Sequence, residues 1–158
     1  MARVAKAFCS GRGEEAYRWA ASRGARLALE ALSTRVLQDR EYAFILLENC
    51  EAYLLKGFER NVVVPMPRSV RTFLFAHSHP RGPAAFSRRD LLSAVNMLSD
   101  GVYEVCVVGV DGALCVYRVS YLTLEDFEKL MESIDRIETP QDLFDCVSQC
   151  ESVGVLTL

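Results

Sequence analysis

The stretch Glu41–Glu48, EYAFILLE, most limits what this chain can fold into. Its apolar residues follow one another without a period-2 alternation, so as a strand it is buried on both faces. Five further strands are expected among residues 52–120. Ala52–Lys56 follows the tight connection Asn49-Cys50-Glu51. Val62–Val64 is stopped by Pro65-Met66-Pro67, because proline cannot donate to a central ladder. Thr72–Ala76, TFLFA, is a further buried strand. Val102–Val110 and Ala113–Ser120 flank Asp111-Gly112 and read as a hairpin.

Helical periodicity brackets these strands. From Glu14 to about Leu37, apolar residues recur at three- and four-residue spacing, with Gly24 a candidate break and Trp19 close enough to the stripe to be read as core. Arg88–Leu98 is amphipathic, with Leu91, Leu92, Val95 and Leu98 on one side and Asp100-Gly101 closing it. A helix capped by Thr123 runs to about Ile137, and Thr139-Pro140 opens a last one. Residues 2–8 and 153–158 are candidate terminal strands. The chain lacks repeats and linkers, and 158 residues make one domain's worth.

No apolar run is long enough to span a bilayer, and the N-terminus lacks the apolar core of a signal peptide. The expectation is a soluble, cytoplasmic protein. Six cysteines form no CxxC pair. Cys106 and Cys115, in strand-like runs, are read as buried free thiols, the alternative being intracellular disulfides. The net charge of −3 does not by itself imply a nucleic-acid partner. Residues 57–90 nevertheless carry six arginines against Glu59 and Asp90, and residues 121–158 carry nine acids against Lys129 and Arg136.

The chemistry concentrates at residues 77–90, HSHPRGPAAFSRRD, which hold the only two histidines. Alternate strand residues point to one face, so His77 and His79 can present both imidazoles to one point. Imidazole nitrogen is a preferred zinc ligand, and a carboxylate oxygen completes a three-ligand set with a fourth position open to water. Asp90 is the nearest carboxylate. With Ser87 as N-cap, Asp90 falls at N3, which is also a plain capping signal.

The spacing His-x-His, seven residues, Ser, two residues, Asp resembles the signature of the JAMM metalloproteases, or MPN+ domains. The likeness covers about residues 14–120. It implies an α+β, cytidine deaminase-like fold: a curved mixed sheet between a long N-terminal helix and the helix after the motif, with residues 121–158 as a helical extension. It also implies one zinc ion on His77, His79 and Asp90, an oxyanion-stabilising role for Ser87, and an upstream glutamate as general base. Glu41 holds that position, with Glu48 the competitor at the other end of the same strand. The implied activity is hydrolysis of a peptide or isopeptide bond, with a ubiquitin-like protein or its conjugates as substrate. The alternatives are a non-catalytic scaffold domain of the same fold and a RadC-like protein associated with nucleic acid.

Overall fold

The structure, a computed structural model, describes residues 14–59 and 69–158. The strands expected at 2–8 and Val62–Val64 lie outside the described residues. In chain order the elements are α1 (Glu14–Leu32), β1 (Tyr42–Leu47), β2 (Ala52–Lys56), β3 (Thr72–Ser78), α2 (Arg88–Ser99), β4 (Glu104–Gly109) and β5 (Gly112–Arg118). α3 (Leu124–Ser133) runs into a 3-10 turn (Ile134–Arg136), and α4 (Pro140–Val147) and β6 (Val153–Thr157) follow.

These strands form one six-stranded mixed sheet in the order β2-β1-β3-β4-β5-β6. Among the described residues only β3 and β4 pair in parallel, the other ladders being antiparallel. A parallel pair needs a crossover, which α2 supplies. All six residues of β1 are buried, as its unbroken apolar run requires. Ala43, Ile45 and Leu47 pack into a core with α2, α3 and α4, while Phe44 and Leu46 face Ala21, Ala25, Ala28 and Leu32 of α1. The fold is therefore α+β, with the N-terminal helix on one face of the sheet and three helices on the other.

Several local expectations need correction. α1 ends at Leu32 and does not break at Gly24. A Cβ at Gly24 would stand 2.4 Å from Glu104 Oε2 and 2.7 Å from Leu74 Cδ1, so the glycine gives the sheet room at a helix-propensity cost of about 1 kcal/mol. Trp19 is not core: it is 40% exposed, with the Arg23 guanidinium 5.0 Å from its ring centre. It lies one residue from the buried Ala20, and about 100° of helical rotation carries it to the rim. Cys106 and Cys115 are not free thiols. They oppose each other across β4 and β5 with Cα atoms 4.1 Å apart and are joined in a disulfide, while Cys146 and Cys150 are free.

The hairpin turn also sits one residue earlier than Asp111-Gly112. Gly109 pairs with Gly112, leaving Val110-Asp111 as the turn, with Gly112 at φ +129°. Crowding explains this: a Cβ at Gly109 would lie 2.1 Å from Ala84 N. The turn is thus packed against the segment that follows the histidines. Among the described residues no helix is long and apolar enough to cross a membrane.

Candidate metal centre

β3 extends two residues beyond its expected end because its parallel ladder with β4 continues through His77↔Val107 and Ser78↔Val108. His77 is therefore fixed inside the sheet and is 6% exposed. His79 follows immediately, its backbone N–H donating to Val108 O at 2.9 Å. The chain then turns away through Arg81, which adopts φ +54° and donates its N–H to Val36 O. Two contacts from the β4–β5 turn pin this loop: Val110 N–H donates to Gly82 O at 2.9 Å, and Asp111 Oδ1 accepts from Ala84 N at 2.7 Å. Phe86 anchors its far end in the core.

Ser87 caps α2. Its Oγ accepts from Asp90 N at 3.1 Å, and Asp90 Oδ2 accepts from Ser87 N at 2.9 Å, closing a capping box. The same carboxylate reaches both histidines, with His79 Nε2 3.1 Å from Oδ2 and His77 Nε2 3.3 Å from Oδ1. The two Nε2 atoms are 3.1 Å apart. Asp90 thus closes the helix cap and at the same time lies against both imidazoles.

These separations test the metal directly. Bonds of about 2.0–2.1 Å to a tetrahedral zinc place neighbouring ligand atoms about 3.3–3.4 Å apart. The two Nε2 atoms stand 3.1 Å apart, and each lies 3.1 or 3.3 Å from a separate oxygen of the Asp90 carboxylate, within a few tenths of that spacing, so the donor set fits such an ion. A hydrogen bond to the Pro83 backbone further orients the His79 ring, the kind of outer contact that fixes metal-binding imidazoles. Burial opposes ionisation of Asp90, but hydrogen bonds from His77 and His79 outweigh it and hold the carboxyl well below its ordinary range. Burial likewise lowers the basicity of His79, yet the hydrogen bond and charge of Asp90 raise it overall.

Glu41 immediately precedes β1. Ala43 pairs with His77, and two steps back along the antiparallel ladder bring Glu41 beside His79 on the same face. Burial raises the Glu41 carboxyl above its ordinary value, with the nearby charges of His77, His79 and Asp90 also acting on it. Glu48 lies at the opposite end of β1, about 23 Å of extended chain away. There it lines a cavity with Arg71, Phe73, Tyr103 and Arg118. The structure therefore brings Glu41, His77, His79, Ser87 and Asp90 to one end of the sheet and leaves Glu48 at the other.

One contributor escaped the sequence reading. Ser78, between the histidines, points to the opposite face, is fully buried, and accepts the Tyr42 backbone N–H at 2.9 Å. It fastens the start of β1, one residue from Glu41, to the strand carrying the histidines. A hydroxyl of odd parity within a buried strand was the available signal. The arginines around the motif do not form a single stripe. Arg81 pairs with Asp39 and Arg88 with Asp135, Arg71 lies at the far end, and Arg60 and Arg68 are outside the described residues. No protein-family model matches the chain, and a search of curated proteins finds no match.

Proposed function

We propose that this chain is a zinc-dependent hydrolase of the JAMM type, cleaving a peptide or isopeptide bond that releases a ubiquitin-like modifier. The observation that carries this reading is the convergence of His77, His79 and Asp90 as a group able to hold a metal ion, with Glu41 on the same face beside it. His77, His79 and Asp90 would hold the ion, which when bound supplies Lewis acidity to water and to the scissile carbonyl. Glu41 takes the proton from the attacking water and passes it to the leaving amine. Its raised pKa suits that double duty, since a base that must also act as acid works best nearer neutrality.

Ser87 is exposed at the helix start, and its cap uses only a lone pair of Oγ. The hydroxyl proton remains available to donate to the oxyanion of the tetrahedral intermediate, a role worth a few kcal/mol where donors of this kind are removed. The likeness of fold supporting the reading extends to the layout of a mixed sheet between an N-terminal helix and the helix after the motif.

The test uses the zinc-loaded protein and lysine-linked conjugates of ubiquitin-like proteins. Cleavage should disappear on chelation and return with Zn2+. Glu41→Gln should keep one zinc per chain and lose turnover by about 100-fold or more. A chain that binds no zinc, or a Glu41→Gln variant that cleaves at the parent rate, overturns the assignment.

A further inference from the structure

Under α1, on the sheet face away from the histidines, lies a second concentration of donor atoms. Glu104 and Cys106 are two residues apart on β4, and Cys115 is the cross-strand partner of Cys106, so all three side chains emerge on one face. Their donor atoms lie within 4.8 Å of one another, and each residue is 0% exposed. Glu104 Oε2 has no hydrogen-bond partner. Oε1 lies 3.6 Å from Cys106 Sγ, a disulfide sulfur with no proton to give. A buried carboxyl left this way is costly, and the hydrolytic chemistry at the other face does not use it. Room for the carboxyl is nonetheless preserved by Gly24, whose Cβ would strike Oε2.

We propose that reduction of the Cys106–Cys115 disulfide converts this cluster into a second metal site, with Cys106, Cys115 and Glu104 binding Zn2+. A dithiol reductant supplies two electrons and two protons and becomes a disulfide itself, while the S–S bond breaks and two thiols form. Zinc then displaces three protons, two from the thiols and one from the carboxyl. Two thiolates balance the ion's charge, and the carboxylate leaves the centre with one negative charge, where metal-free ionisation would leave three. Thiolate ligands select zinc over hard cations such as Mg2+ or Ca2+. Zn–S bonds of about 2.3 Å set two sulfurs about 3.8 Å apart, a separation that facing positions on adjacent strands reach by side-chain rotation. Without metal, burial keeps the Glu104 carboxyl protonated well above its ordinary range.

Cobalt(II) tests this, because a thiolate–cobalt charge-transfer absorption in the near ultraviolet reports sulfur ligation and the His77–His79–Asp90 group cannot produce it. The full chain is reduced, freed of reductant without oxygen, and titrated with Co2+. The reduced protein should bind one more Co2+ than the oxidised protein and show the absorption, with its far-UV circular dichroism unchanged. C106S/C115S should lose both the extra ion and the absorption, and E104Q should weaken the extra ion by at least about tenfold. H77A/H79A should keep the sulfur-bound ion, which separates this site from the hydrolytic centre. Absorption that persists in C106S/C115S, a reduced chain that binds no extra ion, or one that unfolds on reduction overturns the proposal.

Discussion

Ser78 sits between the two histidines and holds a different strand in place. Its hydroxyl accepts the Tyr42 N–H inside the sheet, so Ser78→Ala leaves a buried donor without a partner. The expected cost is about 1–3 kcal/mol, read as a lower urea midpoint. Because Tyr42 adjoins Glu41, turnover should fall in this variant while zinc stoichiometry stays at the parent level. A variant with parent turnover would show that Glu41 is positioned without it. Glu104 carries a pH signature of its own in the oxidised, metal-free protein. Burial raises its carboxyl well above 4.5, so the folded chain holds its proton after the unfolded chain has lost it. Below pH 4.5 both states are protonated and stability does not depend on this group. Above it, stability should fall by about 1.4 kcal/mol per pH unit until the folded carboxyl ionises. Glu104→Gln should remove that slope, which urea unfolding between pH 4.5 and 7 would measure.

Among the elements, the β4–β5 hairpin does more than extend the sheet. Its turn accepts and donates to the segment between the histidines and Ser87, through Asp111 to Ala84 and Val110 to Gly82. Asp111→Ala should free the Ala84 end of that loop while the hairpin, held by its own ladder, persists. The expected result is a modest loss of stability, about 1 kcal/mol, with a larger loss of zinc affinity, measured by competition with a chromogenic chelator. Unchanged affinity would mean that Phe86 and the capping box suffice to place Asp90. A similar tie operates at the other end of the chain. Asp126, buried at the start of α3, accepts from Glu151 N at 3.0 Å and Ser152 N at 2.7 Å where β6 begins. Burial disfavours its charge, but the Ser152 hydrogen bonds prevail and lower its pKa. Asp126→Ala orphans these donors and should cost about 2–3 kcal/mol by chemical denaturation, leaving zinc binding intact.

At the scale of the molecule, what could be read from the sequence follows how local each signal is. The β1 run, the α2 stripe with its Ser87 cap (apart from Leu92, which is exposed), and the two apolar segments around Asp111 were legible because each element's pattern is contained within it. The same holds for His77, His79 and Asp90, whose spacing implies convergence once a strand and a helix start are granted. What escaped depends on contacts between distant segments. Gly24 read as a break because its reason, Glu104, is 80 residues away in sequence. The shifted hairpin turn answers to the loop backbone near Ala84, and the disulfide to a strand register that composition does not encode. Trp19 failed for a simpler reason, a single residue of helical phase.

The crossover from β3 through α2 to β4 has a consequence for the order in which this chain acquires its parts. All three residues of the candidate metal triangle lie on β3, the loop after it and the first turn of α2, within one supersecondary unit of fourteen consecutive residues. Closing so short a segment carries little entropic penalty. Glu41 arrives only when β1 docks, after a much larger loop has closed. On the proposed function, affinity for the ion and competence to use it would therefore be gained at separate moments of folding. By the same logic they would be lost separately over generations: a substitution that loosens β1 would silence the proposed hydrolase while sparing the proposed metal group.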